Sequence, residues 1–231
     1  MTPRQESILK AIVELYASTA EPVGSQSLCE QFGTSSATVR AEMAELERLG
    51  YIMQPHISAG RVPTDRGYRA YVNGLLPERP ADTRTQAALA KRVQSAGEAD
   101  QAIKNAVESL AHVTRNLGLA TIAGNLYMSG IASLFQQPEF SGAGQAYEVA
   151  RLLDSLEDWL AEAAPNEPIS VYIGRENPIG RSSGATLIIS RFDSPWSARS
   201  YVGVLGPTRQ RYNSVIGLVA YTGRLLEESL N

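Results

Sequence analysis

The chain reads as an α+β protein, and three observations carry that reading. Its first 76 residues hold capped helices interrupted by a proline-bracketed hairpin; its middle is a helical stripe; its last third sets β-branched runs beside two further helices. Strands kept separate from helices in this way belong to the α+β class. With 231 residues, the chain can bury one large or two modest cores.

Thr2 to Ser18 reads as a first helix. Thr2 and Gln5 stand at capping-box spacing, and Ile8, Ile12 and Leu15 share its inner face. A second apolar-faced segment (Leu28, Cys29, Phe32) ends at the turn Gly33-Thr34-Ser35. The third helix has an N-cap in Ser35 and a stop in Gly50, and between them Val39, Met43, Leu46 and Leu49 recur as one buried face. Its first turn carries Ser36, Thr38 and Arg40, with Ala37 and Ala41 between and after them. Small hydroxyl side chains let a helix approach nucleic acid closely, and an arginine one turn on reaches a base edge or a phosphate.

Tyr51 to Gln54 and Arg61-Val62 make the arms of a hairpin whose tip lies near Ser58-Ala59-Gly60. Pro55 and Pro63 are expected to forbid regular pairing at both ends and so keep the strands short. His56, Ser58, Gly60 and Arg61 then lie where a wing reaches toward the minor groove or the backbone. Thr64 caps a further helix with Tyr68, Tyr71, Val72 and Leu75 on one side. Residues 1–76 therefore predict a winged helix-turn-helix that binds double-stranded DNA. The competing reading is a packing hairpin with Arg40 and Arg61 as solvated charges. The conjunction of capped helix, glycine turn, hydroxyl-rich first turn and bracketed hairpin favours DNA.

The stretch Leu76-Pro77-Glu78-Arg79-Pro80-Ala81-Asp82 breaks helix twice and is read as a domain boundary. Residues 77–116 form a linker and helical segment, with Ala87, Ala90 and Val93 in one part and Ile103, Val107 and Leu110 in another. Gly97 marks a weak point in a long helix or a break between two. Packing within its own domain and self-association are both open for this stripe. Residues 117–231 hold strand-like runs at Ile169–Ile173, Ala185–Ser190 and Tyr201–Leu205, with a shorter one at 120–122. Helices run from about Gly144 to Ala163 and from about Gln210 to Leu230.

Composition narrows the function. One cysteine excludes an internal disulfide or a cysteine metal cluster, and Cys29 is expected to be buried in the ordinary way. His56 and His112 are too few and too far apart for a histidine metal site, and no cofactor is expected. No signal segment or membrane-length apolar run is visible, so the chain reads as cytoplasmic. Charge runs mildly against DNA binding. Residues 1–76 carry 7 basic against 8 acidic side chains, so contacts must come from the local cluster Arg40, Arg61, Arg66 and Arg69. Residues 77–168, with 7 basic against 12 acidic, are not expected to touch DNA. Neither Gly174-Arg175-Glu176-Asn177 nor Gly206-Pro207-Thr208-Arg209 meets the requirements of a catalytic turn or phosphate cradle. Both glycines are read as strand ends, with Arg175 and Arg209 closing turns or pairing with Glu176, and the chain is not read as an enzyme.

Ser35-Ser36-Ala37-Thr38-Val39-Arg40, Gln54-Pro55-His56, Ser58 to Thr64 and Gly67-Tyr68-Arg69 resemble the bacterial heat-inducible transcription repressors of the HrcA family. So do Glu21 to Ser25, Leu134 to Phe140, Ile173 to Pro178 and Gly203 to Arg209, in family order. The resemblance implies a GAF-like fold for the C-terminal domain, here reduced. It also implies repression of chaperone genes, release on heat shock and the GroE chaperonin as a partner. Two departures stand out: Ala41 replaces the usual asparagine after the helix arginine, and most of the central dimerising insert is missing. The implied DNA-binding residues are Ser36, Thr38, Arg40, Ala41, His56, Ser58, Gly60 and Arg61. The functional expectation is a homodimeric repressor at an inverted-repeat operator; the alternative is a metabolite-responsive winged-helix regulator with its ligand in the C-terminal domain.

Overall fold

The computed structural model describes residues 1–75, 82–163 and 165–231. The chain divides into two units, Met1–Leu76 with Arg209–Arg211, and Pro77–Thr208 with Tyr212–Asn231. The proline-broken stretch from Leu76 to Ala81 lies outside the described residues.

In the first unit, α1 (Pro3–Thr19) begins with a capping box: Gln5 N–H donates to Thr2 Oγ1 at 3.2 Å, and Thr2 N–H donates to Gln5 Oε1 at 2.9 Å. Its buried face is Ile8, Leu9, Ala11, Ile12 and Val13; Leu15 is only half-buried, because the core ends before the last turn. Then come α2 (Ser25–Phe32), α3 (Ser36–Arg48), β1 (Ile52–Met53), β2 (Val62–Pro63) and α4 (Asp65–Asn73). Val39, Met43 and Leu46 of α3 are buried, as their spacing requires, while Leu49 is half-buried. Cys29 is half-buried rather than buried, its thiol donating to the Ser25 carbonyl at 3.2 Å.

The hairpin corrects one expectation. The strands are short, two residues each, as expected, but Pro63 is itself paired, opposite Ile52, as the last residue of β2. The register makes this harmless, because the donor needed there comes from the next residue: Thr64 N–H reaches the Tyr51 carbonyl at 3.0 Å. A third strand-like partner was not anticipated. Val23 and Arg61 exchange both backbone hydrogen bonds at 2.9 Å, tying the segment before α2 to the wing. A side chain on Gly60 would lie 2.5 Å from the Val23 carbonyl carbon, so the approach requires glycine.

The second unit is built on a five-stranded antiparallel sheet in the order β4-β3-β7-β6-β5. The strands are β3 (Leu117–Ile122), β4 (Asn125–Ser129), β5 (Ile169–Ile173), β6 (Ala185–Ser194) and β7 (Ser197–Pro207). Alternate residues of the sheet, including Leu119, Leu187, Ile189 and Leu205, meet Leu134, Phe140, Leu152 and Leu160 in one apolar cluster. Those partners come from α7 (Ile131–Phe135), a 3-10 turn (Pro138–Phe140), α8 (Ala143–Asp154) and α9 (Leu156–Ala163). The intervening residues face the other way, toward α6 (Ala99–Thr114) and α10 (Tyr212–Leu230). There Thr186 and Tyr212 share a buried hydroxyl contact at 3.2 Å, and Gly118 lets α6 come close enough that a Cβ would strike the Val107 carbonyl.

Several readings change here. The short run at 120–122 is a fully buried six-residue strand, and the hairpin partner β4 went unforeseen. Its turn, Ala123-Gly124, has positive φ at both positions but lacks the usual asparagine or aspartate signal, and β4 is a half-exposed edge strand with no β-branched residue. The helix expected over 144–163 breaks at Ser155 into α8 and α9. Residues 83–116 form two helices, α5 (Thr83–Gln94) and α6, which pack within this unit. The buried face of α5 is Leu89 and Val93, and Ala87 is exposed. Gly206 is not a strand end: it pairs with Thr186 inside β7, against the Asn116 side chain.

Candidate nucleic-acid interface

The N-cap of α3 shapes the start of the candidate surface. Ser35 Oγ accepts the Thr38 N–H at 3.2 Å and lies 3.0 Å from the Thr38 hydroxyl. The Ser36 hydroxyl is 2.9 Å from that of Ser25, stitching the first turn of α3 to the first turn of α2. The Ser36 hydroxyl thus ties α3 to α2, and that of Thr38 is engaged with its own helix cap. The outward side of α3 is the row Ala37, Arg40, Ala41, Ala44 and Arg48, all exposed. Three alanines in that row keep the surface low, and Arg40 rises from it with no hydrogen bond or ion pair among the described residues. Arg48 differs, because Glu45 grips its guanidinium at two points, 2.6 and 2.7 Å. The hydrogen bond from Arg48 holds the Glu45 carboxyl below the ordinary glutamate range, and the same contact raises Arg48.

The remaining acidic residues of α3 turn away from that row. Glu42 Oε2 accepts from Gln5 Nε2 of α1 at 3.0 Å. Glu47 reaches the wing at two points: Oε1 accepts the Gln54 N–H at 3.2 Å and Oε2 accepts Arg61 Nε at 2.9 Å. Arg61, whose side chain is only 23% exposed, is thus drawn back onto α3 and does not project from the tip. The tip is a tight turn in which Ala59 N–H donates to the His56 carbonyl at 3.0 Å and Ser58 takes a left-handed φ of 72°. Gln54 Nε2 closes its base by donating to the Ala59 carbonyl at 3.0 Å. His56, Ile57 and Ser58 are exposed.

The sequence-predicted residues accordingly separate. Arg40 and Ala41 lie on the open side of α3, and His56 and Ser58 on the open wing tip. Ser36, Thr38, Gly60 and Arg61 are engaged in holding the motif together. Sequence reasoning passed over Glu47, whose bracing role depends on where the wing folds back, and Ile57, which no periodicity marks. Arg66 also escaped notice as a structural residue: it donates to the Leu49 carbonyl at 2.8 Å and lies over the Tyr51 ring at 4.6 Å.

Residues 1–73 match the family model described as winged helix-turn-helix transcription repressor, HrcA DNA-binding, and residues 66–216 match the HrcA protein C terminal domain. The chain belongs to the HrcA family of transcription repressors. It is 46% identical over 118 residues to the heat-inducible transcription repressor HrcA of Thermobifida fusca, a match covering 50% of this chain and 34% of that protein. The chain therefore spans about a third of the length of such relatives in that comparison. Against the HrcA protein of Desulforudis audaxviator, identity is 28% over 335 positions, covering 98% of this chain and 97% of the relative. Those 335 positions exceed the chain's 231 residues, so about 100 positions of that HrcA protein have no counterpart here. A solved structure described as a hypothetical protein matches with a TM-score of 0.82, at 20% identity, over 100% of this chain and 98% of that one. That likeness concerns the fold.

Proposed function

We propose that this HrcA-family chain represses chaperone genes by binding an inverted-repeat operator as a homodimer, and that heat releases it. The observation that carries the reading is the open side of α3, where Arg40 is exposed and uncommitted above a row of alanines. One recognition helix reads only a few base pairs, too few to single out a site among genomic competitors, so two copies related by a two-fold axis are needed. The cytoplasm is the place such a repressor would work; among the described residues no helix is long and apolar enough to cross a membrane. The GroE chaperonin enters as the partner that keeps the repressor folded.

A protection footprint on DNA upstream of the protein's own gene and of neighbouring chaperone genes tests this. The expected result is a protected palindrome whose half-sites lie roughly 10–10.5 bp apart or a multiple of that. A single unpaired half-site, or no protection, overturns it. Heat release is followed with tryptophan fluorescence, since Trp159, half-buried and edge-on to Tyr172 at 5.1 Å, and the exposed Trp196 both lie in the second unit. That fluorescence should change at or below the temperature at which DNA binding is lost. Binding lost while the tryptophan signal still looks native would favour a bound metabolite as the trigger.

A further inference from the structure

Ile57 is 94% exposed, more than any other large apolar side chain among the described residues. A lone exposed isoleucine is ordinary on a protein surface. This one stands at the tip of a turn that is held from several sides. The Ala59-to-His56 hydrogen bond closes the turn, Gln54 ties its base, Glu47 clamps both arms to α3, and Gly60 locks it against Val23. So much local order around a fully hydrated apolar side chain holds it at a defined place relative to the recognition helix.

The charge of the wing matches a phosphate-walled ligand. From Arg48 to Thr64 there is no acidic residue, so no carboxylate of its own repels phosphates from the tip, although Glu47 reaches over from α3 to pair with Arg61 at the base. The turn itself is narrow, with Ser58, Ala59 and Gly60 following Ile57. In the major groove an aliphatic side chain reads only the thymine methyl, and in the reading above that groove is occupied by the recognition helix. Such a side chain does fit the minor groove, about 6 Å wide, where apolar wedges lie against sugars and base steps and where the guanine 2-amino group obstructs them. We infer that Ile57 is an apolar wedge seated in the minor groove beside each half-site, giving the wing a preference for A·T over G·C at the step it covers. The inference rests on the DNA-binding reading above and adds a residue to it.

The test uses the full chain and the duplex that it protects in the footprint. Ile57→Ala should weaken binding about tenfold, with an unchanged slope of log K against log salt because no phosphate contact is lost. At the covered step, replacing A·T by G·C should weaken the parent protein, whereas replacing it by inosine·C, which lacks the minor-groove amino group, should not. Ile57→Ala should lose that discrimination. If the parent binds the duplex and Ile57→Ala binds equally well with the same base preference, the wedge is wrong while the repressor reading stands. If Ile57→Ala shifts the monomer–dimer balance without DNA, the tip is a protein contact and the inference falls. Failure of the parent to bind any such duplex overturns the repressor reading itself. Equal melting temperatures of parent and variant are expected at so exposed a position.

Discussion

The recognition helix and the wing meet the same ligand in the proposed complex, yet they use their motif residues in opposite ways. On α3 the core-facing residues Val39, Met43 and Leu46 hold the helix, and Arg40 on the far side is left over for binding. In the wing only Ile52 and Pro63 are buried, and residues of the motif supply further hold: Gly60 through its contact with Val23, Arg61 through Glu47 and the backbone bridge. A helix with a buried face can separate fold from function residue by residue. A hairpin of two-residue strands does so less completely, and most of its exposed residues gather toward the tip.

The largest effect should come from breaking the wing where it is tightest. Gly60→Ala places a Cβ 2.5 Å from backbone and should destabilise the first unit by about 3 kcal/mol, the upper part of the range for overpacking. Thermal melting with a helical probe measures this. A near-parental melting point would mean that the wing's approach to Val23 is not structurally required, and the contrast with α3 would collapse.

The next pair sharpens the comparison directly. Arg40→Ala should leave the melting temperature unchanged, cost about 1–3 kcal/mol at the operator and relax specificity at one base pair. Arg61→Ala should instead lower stability by about 1 kcal/mol or less, since its pairing with Glu47 is partly exposed, and weaken binding evenly across sequences. Titration of both variants over a range of salt separates them. A salt slope reduced by about one in Arg61→Ala would show a direct phosphate contact and remove the distinction.

The smallest effect concerns Arg48, whose charge Glu45 neutralises on the surface of α3. Glu45→Gln should tighten DNA binding a few-fold at low salt, because it frees a cation and removes an anion beside the ligand. The pH dependence has a definite sign. Glu45 is held below the ordinary range, about 4.3, so its contribution to helix stability is fully present at neutral pH and is lost as pH falls through the lowered value. A Glu45-dependent stability change near pH 7 would contradict this.

Much of the first unit was legible because its signals are local. The capping box of Thr2 and Gln5, the Ser35 and Thr64 caps and the spacing of Val39, Met43 and Leu46 each act within a turn or two of chain. Strands β5, β6 and β7 were visible as β-branched runs, though β6 and β7 extend further than those runs toward their shared hairpin. β4 was not, because an edge strand of Asn125, Leu126, Tyr127, Met128 and Ser129 gains its order from pairing with β3, not from propensity. The break at Ser155 and the buried choice of Leu89 over Ala87 likewise follow from which surface the helix meets.

The sequence by itself determined the class of fold, the helix caps of the first unit and the order of the motif, and it named candidates for DNA contact, since all of these depend on neighbours within a few positions. Which of those residues are free was decided by the tertiary structure. Glu47 is fourteen positions from Arg61 and seven from Gln54, and only the fold-back of the wing onto α3 brings the three together. A carboxylate within hydrogen-bonding reach of a guanidinium takes it as a partner whatever motif that arginine belongs to, and so Arg61 serves the fold while Arg40 and Ile57 stand open to solvent.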